Sequence, residues 1–549
     1  METITRLDGT MFANMLRAGA MNLRTHAQAI NNLNVFPIPD GDTGDNMMLT
    51  IMGGVDTMSG EEKTISEASR KAADGMLLSA RGNSGVILSQ LFEGIAEGLQ
   101  NIDAADNIQL SNAMRCGVQH AYNAVMEPTE GTILTVARNA SEYASSRVSK
   151  NMEEYLSDFL TEAKRTLDRT PDMLPVLKKA GVVDSGGAGL VYIIEGMSKA
   201  MDGEINPAEY NPFTKTSAQD INLDLFTEDS ILEYGYCTEL LRLQKGKTDP
   251  QNFDVNTITD YLKKIGDSVV AFKTGSIVKI HVHTMTPDKV LGFCQMYGEF
   301  LKIKIENMSL QHNNTALDGI HVSKPESSQK EYGVVAVCAG EGVKRLFLER
   351  GADAIVDGGQ SMNPSTEDFL EAFRQVNAKT IFVLPNNGNV ILSAKQAANL
   401  YTGADIRVLE SKTIGDGYAA LSMLDPNATD TDQIVSDLND AMKGVVTAEI
   451  SKSIRDANMQ QTQVHTGDYI GFVGKEILAA SNNQVDAVYA TIEKLDFSKY
   501  EICILIRGAE TNQEEAEKIE AYLCSQYPGK EVYTVDGMQE IYDYILIFE

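Results

Sequence analysis

The chain has 549 residues, of which 43% are hydrophobic and 23% charged, ordinary proportions for a globular protein but too many residues for one core. Lys and Arg total 47 against 77 Asp and Glu, and the net charge of −30 argues against nucleic acid or an anionic membrane as main partner, since both need basic surface. Six scattered cysteines with no C-x-x-C pair, no signal-like N-terminus and no run of roughly 18 apolar residues point to a reduced, cytoplasmic protein without stable membrane insertion.

Residues 1–205 read as helix after helix, with apolar positions three and four apart from Ser66 onward, from Leu110 to Met126 and from Met152 to Leu167. Between the first helices lies Asn31–Asn46, where Asp40, Asp42 and Asp45 crowd a turn made by Pro37, Pro39, Gly41 and Gly44. Carboxylates this close repel one another unless a hard cation sits among them, and a turn feeding a helix N-terminus receives phosphate oxygens well. The alternative is a solvated acidic loop. Further glycine clusters fall at Arg81–Gly85, Glu130–Thr132 and Asp184–Gly189. Each could be a helix cap or tight turn, but Asn83, Ser84, Thr132 and Ser185 suit phosphate or purine edges.

Residues 202–220, with Pro207 and Pro212, read as a linker. Residues 221–325 then follow a βαββαβ order: a strand at 234–243, a helix at 257–265, a hairpin over 267–284, a helix at 287–297 and a strand at 301–310. In such a sheet the first and third strands are central neighbours. His281 and His283 share one face of the third, and Cys237 can lie opposite them beside Glu239. Sulfur with two imidazoles suits zinc; exposed histidines on an alternating strand are the alternative.

From 330 to 549 strands at 332–339, 354–357, 380–384 and 406–409 alternate with helices, which predicts a doubly wound α/β sheet. Two more βα-like units are expected near 501–549. Gly358–Ser361 and Pro385–Asn389 follow strands, where open α/β sheets place binding sites. No Walker A loop is present, because Leu241 stands where Gly246-Lys247-Thr248 would need its first glycine. Gly340-Glu341-Gly342 imitates a dinucleotide fingerprint but has Arg345 at the third glycine position, and the acidic loop is no EF-hand, with Asp45 and Ile51 at its glycine and glutamate positions.

Asn34–Gly44, Ser79–Gly85 and Gly181–Gly187 resemble the ATP-binding domain of dihydroxyacetone kinases. With Tyr234–Glu239, Lys279–Thr284 and Asp357–Thr366 in order behind them, the whole architecture is similar to the ATP-binding subunit of bacterial fatty acid kinase. The resemblance implies a multidomain chain: an all-α eight-helix barrel over 1–205, an α+β ferredoxin-like middle domain over 221–325, and an α/β DegV-like domain over 330–549 that serves partner docking. It implies ATP and two Mg²⁺ ions, with Asp40 and Asp42 as catalytic metal ligands. Thr43, Gly44, Asn46, Asn83, Ser84, Gly85, Gly131, Thr132, Asp184, Ser185 and Gly186 would line the nucleotide.

Two departures from the pattern stand out. Val35 occupies the place of another metal-binding aspartate, and Asp45 that of a neutral threonine, so Asp45 either replaces the missing ligand or caps the following helix. The resemblance also favours a Zn²⁺ cluster of Cys237, His281 and His283. The activity implied is transfer of the γ-phosphoryl of ATP to a fatty acid carboxylate, with the acid presented by a separate DegV-family binding protein. Residues around Asn363 and Asn387 are the expected docking surface. A dihydroxyacetone-type sugar kinase and a non-catalytic nucleotide-binding scaffold are the alternatives, and a homodimer is left open.

Overall fold

A computed structural model describes residues 4–35, 38, 41–147, 149–201, 236–243, 256–274, 277–284, 286–297, 299–307, 329–359, 363–425, 428, 430–459 and 462–549. They form two compact units, one of residues 1–213 with 328–549 and the other of residues 214–327.

The first unit begins with α1 (Gly9–Asn31), α2 (Thr43–Asp56), α3 (Ile65–Ser79), α4 (Gly82–Gly98), α5 (Asn107–Asn123), α6 (Ile133–Ser146) and α7 (Met152–Asp168). The short α8 (Thr170–Met173) and α9 (Pro175–Ala180) lead into α10 (Ser185–Met201). Each long helix packs on the next, and α10 returns to both α1 and α7. The helical spacing of apolar residues explains this: α1 turns Phe12, Leu16, Leu23 and Ile30 inward, where they join Ile51, Leu88, Phe159 and Ile193 in one core. Asp8, Asn151 and an Asp106–Gln109 capping box start α1, α7 and α5 by satisfying first-turn N–H groups.

Close helix approach depends on small residues. A Cβ added at Gly44 in the first turn of α2 would fall on the carbonyl oxygen of Ala27 in α1. On α4, Gly94 faces the Cys116 carbonyl and Gly98 the backbone of Ala113, both in α5.

The second unit contains β1 (Tyr236–Leu243), α11 (Asn256–Leu262), β2 (Gly266–Thr274), β3 (Ile277–Thr284), α12 (Pro287–Gln295) and β4 (Glu299–Asn307). Its antiparallel sheet has the order β2-β3-β1-β4, so the first and third strands are central neighbours. Ile280 and Val282 pack with Ile258, Leu262, Val290 and Cys294 beneath the helices. By strand alternation, positions 281 and 283 belong to the other face.

The chain then rejoins the first unit as an α/β structure. β5 (Lys330–Cys338), α13 (Glu341–Glu349), β6 (Ala354–Asp357), α14 (Thr366–Gln375), β7 (Ala378–Leu384), α15 (Ile391–Leu400), β8 (Asp405–Val408) and α16 (Ile414–Met423) build a parallel sheet of order β6-β5-β7-β8. Both faces are covered, and β5 accordingly buries seven residues in a row. A second, six-stranded sheet runs Glu476–Ser481, Tyr469–Val473, Val446–Lys452, Tyr544–Phe548, Ile502–Arg507 and Glu531–Asp536. Here the expectation of two βα-like units needs correction. Only Ile502–Arg507 and Glu531–Asp536 pair in parallel across a helix, and Tyr544–Phe548 inserts antiparallel beside Val446–Lys452.

The helical and α/β parts of the first unit share an interface. Gln396 of α15 donates to the Leu77 carbonyl at 2.8 Å and to Thr366 Oγ1 at 3.0 Å, and accepts from Gln90 Nε2 of α4 at 3.0 Å. Ile38, in the acidic loop, is buried in the apolar cluster that includes Tyr332, Phe382 and Leu384. Among the described residues no helix is long and apolar enough to cross a membrane.

Because Gly44 seats the start of α2 against α1, Gly44→Ala should force the two helices apart. Chemical denaturation should show a loss of about 1–3 kcal/mol, the usual cost of overpacking; unchanged stability would contradict the close-approach account.

Candidate functional site

Four helices begin close together. Asp42 is the N-cap of α2, with Thr43–Asn46 as its first turn. Asn83, Ser84 and Gly85 lie in the first turn of α4, which starts at Gly82 with φ +57°. Thr132 is the N-cap of α6, and α10 starts at Ser185. Contacts link these ends in a chain. A Cβ on Gly82 would sit 2.5 Å from Asn46 Nδ2, so only glycine lets α4 meet α2 there. Ser185 Oγ donates to Thr43 Oγ1 at 3.3 Å, joining α10 to α2. The Asp184 carboxylate accepts from the N–H of Gly187 at 2.7 Å and also from that of Ile133, joining α10 to α6. Each of these helix starts carries partial positive charge, part of it already answered by Asp184 and by Asn31 Oδ1.

The loop before α2 is braced by Asn31. Its Oδ1 accepts from Gly44 N at 2.7 Å while its Nδ2 donates to Asp45 Oδ2 at 2.9 Å. Asp45 is exposed in the first turn of α2. Asp42 makes no cap bond to its own helix, and its Oδ2 accepts from Nδ2 of Asn363, a residue of the α/β part. Arg81 holds Asn363 in turn, donating from Nη1 to its carbonyl at 2.6 Å and approaching Asp368 to 3.5 Å. Asp40 lies outside the described residues.

Two side-chain oxygens at this place, Asn83 Oδ1 and Asn363 Oδ1, are buried without a hydrogen-bond partner among the described residues. Buried polar atoms are costly when unmade, so each calls for a ligand group. Carboxylate and amide oxygens are the donor type that suits a hard cation such as Mg²⁺.

The remaining expected residues sit less directly. Gly131 has φ +84° and donates to Thr135 Oγ1 at 2.8 Å, while Thr132 Oγ1 donates to the Thr129 carbonyl at 2.7 Å. Glu130 beside them is clamped by Arg138 at 2.6 and 2.8 Å, which together with Thr135 holds its carboxyl below the usual range. Burial pushes Asp184 up to about 6, against the lowering effect of its two backbone bonds. Asn31, Arg81 and Asn363 are structural parts of the site to which the sequence reading gives no site role: Asn31 opens the acidic stretch, Arg81 lies inside Ser79–Gly85, and Asn363, inside Asp357–Thr366, is expected at a docking surface.

The α/β part has its own cavity of about 470 Å³ at the carboxyl ends of β5, β6 and β7, lined by Gly358, Gly359, Pro385, Asn386 and Asn387 among others. This is the topological switch point of the parallel sheet. The expected docking surface must be corrected: Asn363 and Asn387 are only 1% and 4% exposed, one at the Asp42 interface and the other in the cavity wall. Gly340 and Gly342 have a packing role, because the backbone of Asp536–Gln539 lies where their side chains would be.

In the middle unit the strand register pairs Cys237 with His283 and Glu239 with His281. The side chains of these residues lie outside the described set. Among the described residues, Glu97, Cys116 and His120 form a group with ligand atoms within 4.8 Å of one another, and His120 Nε2 pairs with Glu97 at 2.8 Å.

Comparison with known proteins matches all three parts. Residues 37–199 match the family described as "DAK2 domain", 233–315 the middle domain of the FakA-like fatty acid kinase family and 333–549 the C-terminal domain of that same family. Protein YloV of Bacillus subtilis (strain 168) is 38% identical over 571 residues, and an uncharacterized protein of Staphylococcus haemolyticus 36% over 557, each covering 100% of both chains. An uncharacterized protein of Staphylococcus aureus (strain USA300) is 35% identical over 554 residues, again at full coverage. Among solved structures, the fatty acid kinase B3 protein of Streptococcus pneumoniae loaded with linoleic acid aligns at 12% identity and TM-score 0.29, covering 40% of this chain and 99% of that one. The dihydroxyacetone kinase of C. freundii aligns at 11% and TM-score 0.31, covering 55% and 57%. Those scores are too low to bear on the site, whereas the full-length relatives and the three matched domains are decisive: the chain belongs to the FakA-like family of fatty acid kinase subunits, with a DAK2 domain as its helical kinase part.

Proposed function

We propose that the chain transfers the γ-phosphoryl of ATP to the carboxylate of a fatty acid held by a separate DegV-type fatty-acid-binding protein. The observation that carries this is the chain of contacts linking the N-termini of α4, α2, α10 and α6, with the Asp42 carboxylate at the start of α2. The N–H groups of Asn83, Ser84, Ser185 and Gly186 suit phosphate oxygens. Asp42 and Asp40 would hold Mg²⁺, which would supply charge neutralisation of the phosphates. Thr43, Gly44, Asn46, Gly131, Thr132 and Asp184 shape the rest of the nucleotide pocket, and Asp45 is kept by Asn31 as a first-turn carboxylate.

The acceptor is ionised at pH 7, so its oxygen attacks the γ-phosphorus with no proton to remove. The bond from that phosphorus to the β–γ bridging oxygen breaks, giving acyl-phosphate and ADP. The chain's task is then positioning and charge neutralisation, which is what phosphoryl transfer chiefly requires.

Two observations support a separate carrier. The matched family is named for one subunit of the kinase. The cavity of the α/β part suits a fatty acid badly: Glu341, Asp357, Glu449 and Glu540 line it, and the cation among its described lining residues, Lys344, is already paired to Glu341 at 2.8 Å and Asp357 at 3.0 Å. A carboxylate head group would meet an excess of negative charge there. Residues 330–549 are accordingly assigned to docking, 1–205 to the nucleotide and 221–325 to a middle domain with zinc on Cys237, His281 and His283, whose support is the pairing of Cys237 with His283 and the donor set.

Asp42→Ala should reduce phosphoryl transfer to carrier-bound oleate by on the order of 100-fold or more while the protein stays folded. Near-normal turnover by folded Asp42→Ala would defeat the assignment. Protein purified without a His-tag should contain about one zinc per chain by elemental analysis, lost in His281→Ala. Metal-free protein with intact stability would remove zinc from the account.

A further inference from the structure

We propose that the kinase site is composite, with the α/β part holding the metal-binding loop of the helical part at two points, on either side of position 40. Asn363 is the positioning residue that orients Asp42. The inference rests on the reading of Asp42 as a metal ligand.

The loop between α1 and α2 is fastened twice. Past its middle, Ile38 is 2% exposed and belongs to the apolar cluster of Tyr332, Phe382, Leu384 and Ile547, whose other members all come from the α/β part. At its end, the carboxylate of Asp42 accepts a hydrogen bond from Asn363 Nδ2. The two anchors bracket Asp40. Anchors outside the helical part thus help set where the Asp42 carboxylate stands.

The Asn363 side is itself rigidly held. Arg81, next to the phosphate-facing turn of α4, donates to the Asn363 carbonyl at 2.6 Å. Arg81 and Ser365 form an isolated antiparallel bridge, and Thr366 N donates to the Ala80 carbonyl at 3.2 Å. Gly82 matters here as well, since a Cβ on it would lie 3.0 Å from Asn363 Nδ2. Asn363 is 1% exposed, and its Oδ1 has no partner among the described residues. Its amide thus spends its donor on the carboxylate and keeps an acceptor in reserve inside the site. A residue serving only to pack the interface needs neither feature. Donation to one carboxylate oxygen restrains its rotation, as outer-shell partners of metal ligands do.

The test is calorimetric titration of the full-length protein with AMP-PNP, once with Mg²⁺ and once in EDTA. Asn363→Ala and the volume-keeping Asn363→Leu should each weaken binding in Mg²⁺ by on the order of 10-fold, the effect of losing one charge-assisted hydrogen bond. Binding in EDTA should stay unchanged. Ile38→Ala, at the opposite anchor, should move the Mg²⁺ value in the same direction and decides the matter if the Asn363 variants do not fold. Equal losses with and without Mg²⁺ would mean mere loosening of the interface and would overturn the proposal. So would folded variants with wild-type Mg²⁺ dependence. Asp42→Asn separates the two levels of the argument. If it loses Mg²⁺ dependence while the anchor variants keep it, the composite site alone falls. If it too keeps Mg²⁺ dependence, the metal assignment falls and the positioning role with it.

Discussion

The first unit depends on a chain of contacts that links the N-termini of α4, α2, α10 and α6. Each end carries partial positive charge, so the arrangement is unfavourable unless anions answer it. Asp42, Asp45 and Asp184 supply part of the answer, and phosphate would supply the rest. Steric room comes from glycine: Gly44 lies under the Ala27 carbonyl, and Gly82 at φ +57° admits the amides of Asn46 and Asn363. The glycine-rich motifs are thus contact points between helices as much as phosphate loops.

The α/β part looks in two directions. One side meets the helical part through Gln396, Asn363 and Ile38, close to the acidic loop. On the carboxyl ends of its parallel strands it keeps a cavity whose described lining carries more carboxylates than cations. Such a cavity is poorly matched to a fatty acid head group. That mismatch, together with the interface at Asp42, favours a structural and docking role for this part and leaves the acyl chain to another protein.

Much of the fold was legible because its signals were local. Helical periodicity placed the start of α3 and both ends of α5 and α7 to within a few residues, and Ala354–Asp357 is the predicted strand itself. The βαββαβ order gave the central pairing of β1 with β3. The strands from Val446 to Ser481 escape a reading by pattern, because Val446–Lys452 buries five consecutive residues including Glu449 and shows no clean alternation. The candidate site was legible as motifs but not as an assembly. That Thr43 would meet Ser185, or Asp184 the N–H of Ile133, depends on tertiary packing that no spacing encodes. Asn363 passes for surface for the same reason. A polar residue in a loop after a strand looks exposed until the second layer that covers it is known.

The central claim is that a polar nucleotide site in this chain acts on an acid carried by another protein. A long acyl chain, with roughly 15 methylenes each gaining about 0.8 kcal/mol on leaving water, belongs in a deep apolar pocket with its carboxylate at the mouth. The direct measurement is ATP consumption by the purified full-length chain with oleate alone, and then with a purified DegV-type fatty-acid-binding protein added. The account predicts turnover only in the second condition, with acyl-phosphate formed in step with ADP. Equal rates in both would contradict it and make the chain a self-sufficient kinase.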